Sequence, residues 1–314
     1  MARPYEVHMK FYFAPMEGLT DRIYRDIHNR FFPGLDRYYT PFFSPTMHHS
    51  LTNKEARELP LAAETPVCTI PQVLTKSAED FLWMAALCAD RGYREINLNA
   101  GCPSGTVTAK GKGAGMLANL EELDSFLEQV FSASPLPVSI KTRIGIHASD
   151  EWPAILEVYN RYPVKELTVH SRVRKAFYAG TVEEDCFHYA AECSKNPLCY
   201  NGDLNTRKDI DRVQRDYPGV GAVMIGRGLI ARPDMLCEQK ADSKRLIAFY
   251  GELLEAYLSA FGGSRNAMFR MKEHWHYLLP CFAESEKLGK KLRKTTDLQE
   301  YCTISREILS LPRI

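Results

Sequence analysis

The residues most specific for chemistry sit in one short segment holding a reactive type of side chain, Asn99-Ala100-Gly101-Cys102-Pro103-Ser104, followed by a polar, glycine-rich stretch to Gly111-Lys112-Gly113-Ala114-Gly115. A cysteine between Gly and Pro belongs to a loop, where its thiol is open to a ligand. Cys68, Cys88 and Cys199 lie in apolar runs and read as small core residues. Cys102 is the reactive candidate, with an ordinary buried thiol on a tight turn as the alternative. A second set of polar residues ends a series of apolar runs: Ala14-Pro15-Met16-Glu17, Thr40, Gln72, Asn97-Leu98-Asn99, Lys141-Thr142-Arg143, His170-Ser171-Arg172, Asn201-Gly202-Asp203 and Gly226-Arg227-Gly228. Each alone has a local explanation, such as a side chain satisfying nearby backbone groups. Together they point to one polar mouth. Glycines in the last two let backbone amides approach a ligand, and the Arg227 guanidinium favours a phosphate there. The pairs His48-His49 and His274/His276 lack Cys or carboxylate partners at ligand spacing, so no metal is expected.

Such groups converge only if the elements beneath them are parallel strands. Eight apolar or β-branched runs begin near Phe11, Arg37, Val67, Arg94, Val138, Lys165, Leu198 and Val220, with helical patterns between them. Ser77-Ala-Glu-Asp80 opens one helix, which Gly92 stops. Leu120, Leu123, Leu127, Val130 and Phe131 line the face of another, ended by Pro135 and Pro137. Eight alternations predict a (β/α)8 TIM barrel over residues 1–239, with an open doubly wound sheet as the alternative. Beyond Lys240 the strands cease. Leu246, Tyr250, Leu253, Tyr257 and Phe261 keep helical spacing, so residues 240–314 are expected to form a small helical domain.

The 314-residue chain is 45% hydrophobic and 11% aromatic, enough for a sizeable core, which excludes a wholly disordered protein. No apolar run is long enough to span a membrane, and the opening Met1-Ala2-Arg3-Pro4-Tyr5-Glu6 lacks the apolar core of a secretory signal. Nine cysteines without a Cys-x-x-Cys argue against a disulfide framework or zinc ribbon and for a reducing, cytoplasmic setting. The net charge of +1 hides an asymmetry: residues from Lys240 onward carry +4 and the preceding part −3. The excess peaks between Ser264 and Thr296, either a solvated helical face or a surface for a polyanion.

The run from Ala14-Pro15-Met16-Glu17-Gly18 through Pro71-Gln72-Val73-Leu74, Asn97–Ser104, Lys141-Thr142-Arg143, Val169-His170-Ser171-Arg172 and Asn201-Gly202-Asp203 to Met224-Ile225-Gly226-Arg227-Gly228 resembles the dihydrouridine synthase family of flavin-dependent tRNA-modifying enzymes. A fainter likeness continues through Arg270-Met271-Lys272-Glu273-His274-Trp275, similar to the helical RNA-binding domain of bacterial members. The resemblance implies FMN across the barrel mouth, reduced by NADPH or NADH. Pro15 and Met16 would back the ring, Gln72 and Lys141 would bond its polar edge, and His170 would lie beside it. Asn201, Gly202, Asp203, Gly226 and Arg227 would hold the phosphate. Asn99, Arg143, Arg172 and Tyr178 would bind the target base, with Cys102 as proton donor. Arg265, Arg270, Lys272, Lys287, Lys290, Lys291, Arg293 and Lys294 would face the RNA, a tRNA or a ribosomal RNA, and the chain would act as a monomer. Two other readings remain at this point: a small-molecule FMN oxidoreductase of dihydroorotate-dehydrogenase type, and a non-catalytic RNA-remodelling protein.

Overall fold

The computed structural model describes residues 9–65 and 67–314, so the opening residues read above for a signal segment lie outside the described ones. Nine strands form one parallel sheet: β1 (Lys10–Phe13), β2 (Arg37–Tyr39), β3 (Thr69–Ile70), β4 (Gln72–Val73), β5 (Ile96–Ala100), β6 (Val138–Arg143), β7 (Leu167–His170), β8 (Leu198–Asn201) and β9 (Ala222–Ile225). Their order is β3-β2-β1-β9-β8-β7-β6-β5-β4. β3 and β4 are two halves of the third expected run, divided at Pro71. The first half pairs with β2 and the second with β5, so nine strands fill eight positions and close the barrel. Proline brings no amide to a ladder, and the split falls where the strand must turn from one neighbour to the other. Alternate residues point inward, and Tyr12, Ala14, Tyr39, Ile70, Cys199, Ala222 and Met224 form a buried cluster.

The helices are α1 (Arg22–Phe31), α2 (Asn53–Glu58), α3 (Ala78–Asp90), α4 (Gly105–Thr108), α5 (Leu120–Ala133), α6 (Trp152–Tyr159), α7 (Glu184–Cys193), α8 (Arg207–Asp216), α9 (Arg227–Ala231), α10 (Ser243–Phe261), α11 (Ser264–Leu278), α12 (Glu286–Lys294) and α13 (Leu298–Leu309). Ser77 caps α3 by accepting from the Asp80 amide at 3.2 Å, and Asp242 caps α10 by accepting from Arg245 at 2.8 Å. The face expected on α5 is buried at Leu123, Leu127 and Val130.

The chain divides into two compact units. One comprises the residues through Pro15, Asp36–Asp203 and Lys208–Ile225, and holds every strand; the other comprises Met16–Leu35, Leu204–Arg207 and Gly226–Ile314. In the second unit α1 shares a core with the C-terminal helices. The Tyr24 ring stacks on His274 at 4.8 Å, and Phe249 meets Tyr24 edge-on at 5.9 Å. His274 Nε2 lies 3.0 Å from the Leu19 carbonyl oxygen and His28 Nε2 lies 3.0 Å from that of Pro233. Burial pushes His28 down to about 3 and His274 to about 4, so both are neutral. His274 is thus a core histidine, and among the described residues no group of three or more His, Cys, Asp or Glu is placed to hold a metal.

Candidate active site

Parallel pairing sets the mouth in rows. Asn99 on β5 lies opposite Lys141 on β6, which lies opposite Thr168 on β7; Arg143 pairs with His170, and His170 with Asn201 on β8. Beneath them runs a ladder of buried amides. The Gln72 amide nitrogen donates to Thr40 Oγ1 at 3.0 Å, its Nε2 donates to Asn97 Oδ1 at 2.8 Å, and Asn97 Nδ2 donates to Ser139 Oγ at 2.9 Å. Asn99 Nδ2 donates to Gln72 Oε1 at 2.8 Å. Because each member is both donor and acceptor, the ladder fixes the amide orientations of Gln72 and Asn99.

That orientation aims Asn99 Oδ1 at the next loop, where it accepts from Gly101 at 3.1 Å and from Cys102 at 2.9 Å. Arg143 holds the same loop from β6, its Nε donating to the Gly101 carbonyl at 2.9 Å and its Nη1 to Val173 at 3.0 Å. Gly113 lies against it with φ +58°, and a Cβ there would sit 2.9 Å from Cys102 Cβ, so only glycine fits. Cys102 is partly exposed on a loop fastened from three sides.

The mouth is strongly cationic. Burial, helped by Arg143, pulls the Lys141 ammonium down to about 8, and the other groups acting on it are the thiols of Cys199 and Cys102, with no carboxylate among them. Burial lowers Arg143 to about 10, opposed by Tyr178, with Arg172 adding to the fall. The Arg143 guanidinium lies 5.4 Å over the Tyr178 ring. Arg172 is buried; its Nη2 bonds Asp203 Oδ2 at 2.5 Å and the Gly180 carbonyl at 2.6 Å, and its Nη1 lies 3.1 Å from His170 Nε2. Asn201 Nδ2 donates to the Met224 carbonyl at 2.7 Å. A desolvated ammonium with no carboxylate among the described groups that act on it is costly by itself and suits an electron-rich or anionic ligand.

The expected site residues fall into three groups. Gln72, Asn99, Cys102, Lys141, Arg143, His170, Arg172, Tyr178, Asn201, Gly202 and Asp203 belong to the strand-bearing unit, together with Pro15. Met16, Gly226 and Arg227 belong to the other unit, where a Cβ on Gly228 would lie 2.0 Å from the Leu204 carbonyl oxygen, so the turn after β9 demands glycine. Of the eight basic residues expected to face RNA, Arg265, Lys287, Lys290, Lys291, Arg293 and Lys294 are exposed. On α12, Lys287, Lys290, Lys291 and Lys294 recur at helical spacing and share one face. Arg270 instead donates to the Gly18 carbonyl and faces Asp21 at 3.8 Å. Lys272 donates to the Thr295 carbonyl at 2.5 Å and the Arg293 carbonyl at 3.3 Å, capping α12. These two serve the fold of their unit.

The residues missed from sequence are Thr108, Arg174 and Phe177. Arg174 Nη2 donates to Thr108 Oγ1 at 3.0 Å, bracing the loop after β7 against the loop that carries Cys102. The signal was present in Arg172-Val173-Arg174-Lys175-Ala176-Phe177-Tyr178, where basic and aromatic residues interleave beside a strand end.

The family model described as Dihydrouridine synthase (Dus) matches residues 12–307. Among individual relatives, tRNA-dihydrouridine synthase B of Shewanella oneidensis is 27% identical over 231 residues, covering 73% of this chain and 70% of the relative. A probable tRNA-dihydrouridine synthase of Rhizobium leguminosarum bv. phaseoli is 29% identical over 284 residues, 88% of each chain. Among solved structures, morphinone reductase is similar with a TM-score of 0.51 at 13% identity, covering 74% of this chain and 87% of that one, a likeness of fold alone.

Proposed function

The chain belongs to the dihydrouridine synthase family, and we propose how its own residues carry out that family's reaction, the saturation of the C5=C6 bond of a uridine in tRNA. The reaction needs hydride at C6, a proton at C5 from the opposite face, and donors for the carbonyl charge that develops between the two. A bound flavin, which we take to be FMN reduced by NADPH or NADH, supplies the hydride. The mouth fits such a group: Lys141 offers a desolvated ammonium with no carboxylate among the described groups acting on it, and Gln72, in an amide ladder of fixed orientation, bonds Asn99, which pairs with Lys141. Pro15 and Met16 are assigned to the back of the ring and His170 to its side. Asn201, Gly202 and Asp203, and separately the Gly226-Arg227 turn, are the candidates for holding the phosphate.

Cys102 gives its proton to C5. Asn99 and Arg143 hold the loop that presents this thiol, so it does not have to be ordered when the base arrives. Arg172 and Tyr178 complete the side of the mouth assigned to the base, with Asn99 and Arg143. A base within folded RNA must be turned out to reach this mouth, and its unstacking has to be offset by contacts elsewhere. We assign these to the exposed Arg265, Lys287, Lys290, Lys291, Arg293 and Lys294, in line with a catalytic part at residues 1–239 and an RNA-binding part at 240–314. Nine unpaired cysteines support a reducing cytoplasm, and we propose a monomer. The observation that carries the reading is the Cys102 loop fastened beside an unneutralised Lys141 in a chain of this family. Mapping dihydrouridine in tRNA from a strain lacking the gene tests it: one or more positions should revert to uridine and regain modification on complementation. An unaltered map overturns it.

A further inference from the structure

The loop after β7 holds a strained, exposed aromatic. Phe177 has φ 51° and ψ −105°, a conformation that a non-glycine residue keeps only where its surroundings impose it. The surroundings do so on both sides. Before it, the Arg174 and Lys175 amides donate to the Gly145 and Ile146 carbonyls at 2.8 and 3.0 Å. After it, the buried Arg172 guanidinium holds the Ala179 carbonyl at 3.2 Å and that of Gly180 at 2.6 Å. A chain clamped at both ends could bury an apolar apex, yet Phe177 is 44% exposed and Tyr178 55% exposed.

The apex is tied to the chemistry. Arg174 lies 5.4 Å over the Phe177 ring and donates to Thr108 Oγ1, so one guanidinium links the ring to the loop bearing Cys102. Tyr178, next in the chain, carries the Arg143 guanidinium on its ring, and Arg143 grips Gly101. The two loops carry Lys110, Lys112, Arg172, Arg174 and Lys175, and no Asp or Glu occurs between residues 101 and 120 or between 167 and 182. A cationic rim with exposed aromatic rings matches the phosphates and base faces of RNA.

We propose that Phe177 is a positioning residue that enters the RNA stack beside the target, taking the space the turned-out uridine leaves and holding the gap open while the base occupies the mouth. The proposal rests on the dihydrouridine synthase reading. A ring on a strained, braced turn keeps its place against the stack, whereas a ring on a mobile loop would yield, so the strain serves rigidity.

The test compares two substrates of the flavin-loaded enzyme, a folded tRNA transcript and a short unstructured oligonucleotide with the same target uridine, by the rate at which each reoxidises the reduced enzyme. Phe177→Ala should lower kcat/KM on the transcript by about ten- to a hundredfold, the worth of one base–aromatic stack. It should leave the oligonucleotide rate and the reduction by NADPH unchanged, because no stack has to be opened. Phe177→Trp should restore the transcript rate. Phe177→Gly, which relieves the backbone, should raise Tm yet show the same transcript defect as Phe177→Ala. Equal rates for Phe177→Ala and wild type on the transcript, or equal losses on both substrates, overturn the proposal. Failure of the wild type on both substrates would contradict the dihydrouridine synthase reading itself.

Discussion

The two ends of the barrel bury charge in opposite ways. At the end where the strands start, Arg37 Nη1 meets Glu95 at 3.2 Å and Glu166 at 3.8 Å, while the Tyr12 hydroxyl donates to Glu166 Oε2 at 3.0 Å. The Arg37 guanidinium lies 5.1 Å over the Tyr12 ring. At the end where the strands finish, Lys141, Arg143 and Arg172 are gathered and Asp203 is the carboxylate bonded among them. One end pairs its buried cation with carboxylates and a donating hydroxyl, which is what a structural plug requires. The other keeps a desolvated cation, Lys141, with no carboxylate among the described groups acting on it, a cost to the free protein that a ligand would relieve. An ion cluster by itself therefore does not mark a site; the sign of what is left over does.

Removing Cys102 should break the chemistry of the mouth with the largest effect. Cys102→Ala should lower turnover on tRNA by about two to four orders of magnitude, the worth of a positioned general acid. Stopped-flow absorbance should show near-normal flavin reduction by NADPH, a step that needs no proton donor on the loop. Reoxidation by tRNA at the wild-type rate would reduce the thiol to packing.

At the opposite end the same kind of change should cost stability and leave chemistry intact. Arg37→Met removes the cation from two nearly buried carboxylates, a loss of about 3–5 kcal/mol at pH 7 by urea unfolding. Burial already raises the Glu166 carboxyl against the opposing pull of Arg37, so losing Arg37 raises it further. Its protonated form then favours the fold, and the deficit should shrink as pH falls towards 5. Activity per folded molecule should stay at the wild-type level. A large drop in that activity would tie the plug to the mouth and erase the contrast between them.

The barrel was legible because parallel strands buried on both faces leave apolar runs and the residues ending those runs are polar. The split at Pro71 was not, since proline marks a break without saying that the two halves serve different neighbours. Cys102 and Lys141 were readable from residue type and position at strand ends. Asn99 and Arg143, expected to bind a base, fasten the Cys102 loop, a role that depends on which side chains meet across strands. The carbonyl contacts of Arg270 and Lys272 were not legible for a related reason. Charge is visible in sequence, but whether it faces solvent or a carbonyl such as Gly18 or Thr295 depends on the packing of α1, α11 and α12. The plug of Arg37, Glu95, Glu166 and Tyr12 escaped notice because its members are far apart in the chain, each looking like an ordinary surface residue.

The contrast between the two ends is tested most directly by the pH dependence of FMN affinity in the apoprotein, titrated by fluorescence quenching from pH 7 to 9.5. Lys141 in the free protein loses its proton at about 8, and an electron-rich ligand beside it would raise that value. Below pH 8 the ammonium is charged with or without ligand, so the Kd should be flat. Above pH 8 binding must take up a proton, and the Kd should rise with pH by at most about tenfold per unit. Lys141→Met should bind more weakly at pH 7 and show no such rise. A wild-type profile that parallels the Lys141→Met profile across the range would contradict the claim that the mouth keeps this cation for the flavin.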